Sequence, residues 1–203
     1  MKNILLTGVG GQGTVLAAKV LAQAAQAKGW HVRTAETIGM AQRGGSVTSH
    51  VRMGDAGEEV FSPLLERGSA DLIVAFEPAE AARALPYLSP RGLLVTASTG
   101  IQPVTSSLAK LAYDPAALLT EMTAKVPNVI VVDDAALCEA AGSRKALNTI
   151  LLATAIAAGE RIGSGLEGAV TIDDMRAAIE VCVKPRFVDM NLAAIDIAVE
   201  ALG

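Results

Sequence analysis

The sequence predicts an α/β fold, and three observations carry that prediction. The chain opens on a strand, a glycine-rich turn, a helix and a second strand. Short, unbroken apolar runs recur downstream, as in strands covered on both faces. Between and after them lie stretches whose apolar residues recur at helical spacing. With 203 residues the chain is long enough for one domain with its own core, taken as a single unit over 1–203. The expected architecture is Rossmann-like: a mostly parallel sheet flanked by helices, with a β-hairpin insertion.

Each element has its own signal. Asn3 to Thr7 is a short apolar run followed by Gly8-Val9-Gly10-Gly11-Gln12-Gly13. Thr14 to Lys28 is rich in Ala, Leu and Val, with Val15, Leu16, Lys19, Val20, Ala24 and Ala27 at helical spacing. Gly29 is placed to end that helix in the left-handed conformation. His31 to Glu36 reads as the second strand, completing a βαβ unit that within one sheet is right-handed and parallel. Thr37 to Gly45 is a loop, and Ser46 to Met53 alternates as a half-exposed strand does. Gly54 to Gly57 is a turn, with Glu59 to Leu64 as the antiparallel partner that makes the inserted hairpin. Ala70 to Phe76 and Gly92 to Ala97 read as buried strands, with a helix over Pro78 to Leu85 between them. Val129 to Val132 is another buried strand, and Ala146 to Ala158 a sandwiched apolar helix. Thr171 caps a helix over Ile172 to Val183, with Asp174 as its capping-box partner. Pro185 breaks that helix, and Phe187 to Leu202 forms the last.

Composition excludes several functions. Seventeen Lys and Arg against 21 Asp and Glu leave a net charge of -4, against a duplex-binding surface. Aromatic residues are 3% of the chain, too few for a single-strand stacking platform. The mean hydropathy of +0.41 is spread along the chain, and the apolar stretch from Ala146 to Gly159 is too short to span a bilayer. The start, Met1-Lys2-Asn3-Ile4-Leu5-Leu6, meets Gly8 before a signal-peptide core can form. Two cysteines, Cys138 and Cys182, suit a reduced, cytoplasmic compartment and are too few to hold an iron–sulfur cluster. The surplus of apolar residues over charge leaves room for a subunit interface.

Two glycine elements could carry function. Gly8-x-Gly10-x-x-Gly13 lies between a strand and a helix, where the glycines permit a tight turn, approach of an anion to the backbone, and close helix–strand packing. Glu36 ends the second strand, where an acidic residue holds the ribose of a dinucleotide; this leaves a stand-alone NAD(P)-linked dehydrogenase as one reading. Thr14-Val15 stands where a phosphate-binding P-loop requires Lys and Ser or Thr, so nucleotide hydrolysis is not expected. The second element is Gly39-Met40-Ala41-Gln42-Arg43-Gly44-Gly45-Ser46, where backbone N–H groups and the Arg43 guanidinium can converge on an anion. An anion- or CoA-binding module is therefore a further reading. His31 and His50 lack a neighbouring ligand at metal spacing, so no metal site is expected. Asp133-Asp134 and Asp173-Asp174 read as helix caps, and no nucleophile elbow is present, so no catalytic residue is assigned.

Taken together, Gly8 to Gly13, Gly39 to Val47 and Val51-Arg52 closely resemble the gamma-type subunits of 2-oxoacid:ferredoxin oxidoreductases, and among them those of indolepyruvate-oxidising members. Leu147-Asn148-Thr149 and Asn191-Leu192-x-Ala194 look like family positions too, so the resemblance spans nearly the whole chain. Ala153 and Ile195 depart from it, where a glycine and an aromatic residue are usual. The resemblance implies a complex that oxidatively decarboxylates aryl 2-oxoacids such as indolepyruvate to acyl-CoA and CO2, with ferredoxin as electron acceptor. It implies thiamine diphosphate with Mg, and iron–sulfur clusters, on a large partner subunit. Gly54-Asp55-Ala56 is no metal–diphosphate signature, so this chain is expected to bind none of these cofactors alone. Its implied role is to dock on that partner and close the active site, through Gly8, Gly10, Gly11, Gln12 and Gly13 and through Gln42, Arg43, Gly44, Gly45 and Ser46. Neither nucleic acid nor membrane is an expected partner.

Overall fold

The computed structural model describes residues 1–39, 45–55, 57–102 and 113–203. These form a six-stranded sheet in the order β2-β3-β1-β4-β5-β6. The strands are β1 (Lys2–Val9), β2 (His31–Ile38), β3 (Ser46–Gly54), β4 (Ala70–Ala75), β5 (Leu88–Ala97) and β6 (Val129–Val132). β1, β4, β5 and β6 run parallel to one another, while β3 is antiparallel to both of its neighbours. Seven α-helices lie among the described residues: α1 (Thr14–Ala27), α2 (Pro78–Ala84), α3 (Pro115–Lys125), α4 (Asp134–Ala140), α5 (Leu147–Ile162), α6 (Ile172–Cys182) and α7 (Val188–Glu200). The α/β class with a mostly parallel, helix-flanked sheet is as the sequence predicts.

The hairpin has other arms than expected. It is made by β2 and β3, paired from His31 opposite Gly54 to Ile38 opposite Val47. Residues 59–64 form no strand. That segment lies across the sheet instead, with the Val60 amide donating to His31 Nδ1 (3.1 Å) and the Leu65 amide to His50 Nδ1 (3.2 Å). For His50 the acceptor role requires a neutral imidazole, and burial lowers its pKa in that direction. β3 also separates β1 from β2, so the opening strand–helix–strand unit is parallel without its strands being neighbours.

Alternation along the central strands divides the core in two. Ile4 and Leu6 of β1 and Leu72 and Val74 of β4 face α1, α5, α6 and α7. Leu5, Ile73, Ala75 and Leu94 face Ala81 and Ala84 of α2 and Met122 of α3. Both faces are covered, which is why β4 and β5 read as unbroken apolar runs. On α1 the buried side is Ala17, Ala18, Val20, Leu21, Ala24 and Ala25, rotated from the expected stripe, and Val15 and Lys19 are exposed. Small residues predominate on this buried side, so a reading from the larger side chains misplaces it. α1 ends as expected: the Gly29 amide donates to Gln26 and the Trp30 amide to Ala25, a Schellman closure. α6 has the full capping box of Thr171 and Asp174. α5 is buried continuously from Leu147 to Gly159, the sandwiched helix the sequence predicts. No described helix is long and apolar enough to cross a membrane.

Candidate functional site

The carboxyl ends of the parallel strands gather the polar features. Between β1 and β4 the chain passes to opposite sides of the sheet, the position at which open α/β sheets admit ligands. Gln12 spans that junction: its Oε1 accepts from the Val9 amide (2.7 Å), and its Nε2 donates to the Phe76 carbonyl (2.7 Å). A Cβ on Gly8 would lie 2.9 Å from Gln12 Oε1 and 3.0 Å from Phe76 Cβ, so a side chain there would require the Gln12 amide and the Phe76 side chain to shift. Gly10 donates its amide to the Gly45 carbonyl (2.9 Å), tying the first glycine element to the end of the second. The base of that second loop is closed by Gly39 N–H to the Ser46 carbonyl (2.8 Å) and by the Ser46 hydroxyl donating to Glu80 (2.6 Å). Gln42, Arg43 and Gly44 lie outside the described residues.

The third glycine has a different neighbour than expected. Gly13 precedes α1 with φ 88°, and a Cβ on it would lie 3.1 Å from the side chain of Asn148 on α5 rather than against a strand. α1 has no side-chain cap and no acidic residue in its first turn, so the positive end of the helix is not offset. In front of it lies a cleft of about 370 Å3 lined by Gly11, Gln12, Gly13 and Leu16 on one side and Arg144, Lys145, Leu147 and Asn148 on the other, with Ile101 between them. Asn148 is 5% exposed, and its amide makes no hydrogen bond to any described residue. Backbone amides, two cations and the side-chain amide of Asn148, which lines the cleft, together favour an anion that accepts several hydrogen bonds.

Two buried carboxylates organise the rim. Glu77, 1% exposed, accepts from the amides of Glu80 (3.1 Å) and Ile101 (3.2 Å) and from the Tyr113 hydroxyl. Burial, reinforced by this carboxylate, pushes the Tyr113 hydroxyl far above its ordinary pKa, so it stays a donor. Asp134 is fully buried. Its partners are Ser98, Thr99 and Arg144, so of the Asp133-Asp134 pair only Asp133 caps α4 through its side chain.

Other sequence candidates fall elsewhere. Glu36 is exposed at the sheet edge, opposite Ser49 of β3, which in turn lies opposite Leu6 of β1. One strand thus stands between Glu36 and the glycine turn, which does not support the dinucleotide reading. Asn191 accepts from the Thr149 hydroxyl and donates to the Phe187 carbonyl (2.7 Å), so these two family-like positions join α5 to α7. The two cysteines are too few for a four-thiolate cluster, and burial raises the thiol pKa of both Cys138 and Cys182. No group of three His, Cys, Asp or Glu suited to a metal is found among the described residues. Arg144 and Lys145 were not singled out in the sequence. Their signal is two cations just ahead of an apolar helix, the end at which the helix dipole disfavours positive charge.

A family model described as pyruvate ferredoxin/flavodoxin oxidoreductase matches residues 3–201. The indolepyruvate oxidoreductase subunit IorB of Archaeoglobus fulgidus is 38% identical over 195 residues, covering 95% of this chain and 91% of that protein. The subunit of the same name from Pyrococcus horikoshii is 35% identical over 201 residues, covering 98% and 95%. Among solved structures, the gamma subunit of a keto/oxoacid ferredoxin oxidoreductase from Geobacter sulfurreducens superposes with a TM-score of 0.68 at 20% identity, covering 98% of this chain and 97% of that one. A 2-oxoglutarate:ferredoxin oxidoreductase from Magnetococcus marinus, solved with 2-oxoglutarate, coenzyme A and succinyl-CoA, superposes with a TM-score of 0.68 at 16% identity. That match takes in 100% of this chain and 31% of the longer one.

Proposed function

The chain belongs to the pyruvate ferredoxin/flavodoxin oxidoreductase family, and from that premise we propose that it is the small, IorB-type subunit of an indolepyruvate:ferredoxin oxidoreductase. In this reading the complex converts aryl 2-oxoacids to acyl-CoA and CO2 and passes electrons to ferredoxin. Thiamine diphosphate with Mg, and the iron–sulfur clusters, belong to a large partner subunit and supply the bond-breaking and electron chemistry there. This chain's own residues bind, orient and shield. The observation that carries the reading is full-length similarity: at 35–38% identity the match runs through 95–98% of this chain and 91–95% of the relatives.

The geometry supports a role for the cleft between α1 and α5. Coenzyme A carries phosphates, and the Gly11–Gly13 backbone, Arg144, Lys145 and Asn148 form a seat for such a group. Ile101, Val15 and Ile38 are exposed apolar residues at the same end of the sheet, suited to burial under a partner. Gly39 and Gly45 lie at this end as well, and Arg43, in the sequence between them, is taken as part of what meets the catalytic subunit. Closing that subunit over its substrate excludes water and so protects the reacting carbon from premature protonation. The test is co-purification from the native cell, followed by separation and recombination. A thiamine-diphosphate and iron–sulfur subunit should accompany the tagged chain, and indolepyruvate-dependent ferredoxin reduction should require both. Turnover by the isolated chain, or the absence of such a companion, would overturn the reading.

A further inference from the structure

We propose that Asp134 is a positioning residue that holds Arg144 in the orientation needed to receive an anion in the cleft between α1 and α5; this rests on the anion-seat reading above. Asp134 is 0% exposed and lies outside the cleft lining. Burying an ionised carboxylate is unfavourable unless it is well hydrogen-bonded. Here Oδ1 accepts from the Ser98 amide (3.0 Å), the Ser98 hydroxyl (3.2 Å) and the Thr99 amide (2.9 Å). Oδ2 accepts from Arg144 Nη1 (3.0 Å). Helix capping does not account for this arrangement, because the neighbouring Asp133 provides the cap by accepting from the Ala136 amide.

The partners of Asp134 lie on two walls. Ser98 and Thr99 lead into Ile101, and Arg144 opens the run that supplies Lys145, Leu147 and Asn148. One carboxylate therefore fixes the spacing between these walls. It also takes only one N–H of a guanidinium that has several, leaving the others available; the Arg144 side chain is 56% exposed. A flexible, solvated arginine loses rotamer freedom on meeting a phosphate, and one already held at its far side loses less. Asp134 also offsets the charge of Arg144, so the pair supplies directed donors while Lys145 and the α1 terminus supply net positive potential. The pair thus favours an anion of matching shape over one selected by charge alone.

The test is a double-mutant cycle on the full chain, with inorganic pyrophosphate and coenzyme A as probes in titration calorimetry. Asp134→Asn keeps an oxygen for the Ser98 and Thr99 amides but cannot accept from Arg144 in the same way. It should weaken both probes on the order of 5- to 20-fold, the scale of one charge-assisted contact losing its preorganisation. In an Arg144→Ala background the same change should alter affinity little, because the group it acts through is gone. An equal loss in both backgrounds would show a general structural role and overturn the proposal, as would unchanged affinity for Asp134→Asn alone. If Asp134→Asn fails to fold, Arg144→Ala and Arg144→Lys test the link from its exposed end. The alanine should lose affinity and the lysine, which can still reach Asp134, should recover part of it. Equal affinity of all three proteins would overturn the proposal. Failure of the wild-type chain to bind either probe would remove the anion seat itself, a distinct failure visible before any variant is made.

Discussion

Gly13 meets two demands at once, a left-handed backbone and the absence of a Cβ against Asn148. A Gly13→Ala change should cost on the order of 1–3 kcal/mol of stability, from backbone strain and from displacement of the amide. Denaturant unfolding would read this as a lower midpoint with an unchanged slope. Gly8 and Gln12 were legible in the sequence as part of a glycine turn, because turn chemistry is local. The structural role of Gln12 was not, since its second contact is to Phe76, 64 residues away. Asp134, Arg144 and Asn148 were missed as a group for the same reason. Asn148 was noted as a family-like position and Arg144 follows a local charge signal, but the contacts that join them to one site, to Ser98, Thr99 and Gly13, cross large sequence separations. A pair of aspartates at a helix start has an inexpensive local explanation, which holds for Asp133 and misleads for Asp134.

Among elements, the apolar strand runs were the most legible in extent, although β6, expected to be buried, is a half-exposed edge strand with Val131 exposed. β6 has the predicted bounds, and β4 ends one residue short of the prediction. Helices α3 and α4 had no such signal: α3 buries one residue, Met122, and α4 only Asp134 and Cys138. The hairpin misassignment has a physical cause. Alternation identified β3 as a strand but could not name its partner, and residues 59–64 were nearer in sequence to its end. The Val60 amide donates to His31 and the Leu65 amide, just beyond the segment, to His50, and the second of these contacts depends on pH. Burial lowers the His50 pKa in the folded chain below the ordinary value of 6.5. Above that value both folded and unfolded chains are neutral at this site, and it has no effect on stability. As pH falls below it, the unfolded chain binds a proton that the folded chain resists, and stability declines until the lower folded pKa is reached. The urea midpoint of the wild-type chain should therefore drop between about pH 7 and pH 5 by more than that of His50→Gln, whose side-chain oxygen can still accept from Leu65. Equal slopes would remove His50 from the account.

At the scale of the whole molecule, the two faces of the sheet have different work. The side of α1, α5, α6 and α7 holds the larger core and carries the cleft at one end, while α2 and α3 cover the other. The packed elements therefore surround the proposed anion seat, with the exposed Ile101 in its lining. The placement of β3 bears on how this body comes into being. Because β3 lies between β1 and β2, the first 38 residues contain two strands and a helix but no ladder between those strands. As the chain leaves the ribosome, β1 and β2 have to wait for Ser46–Gly54 before either strand finds a mate. A fragment ending at residue 44 should accordingly give no cooperative thermal transition, whereas one that continues past β3 and β4 gains the pairings on which a nucleus can grow.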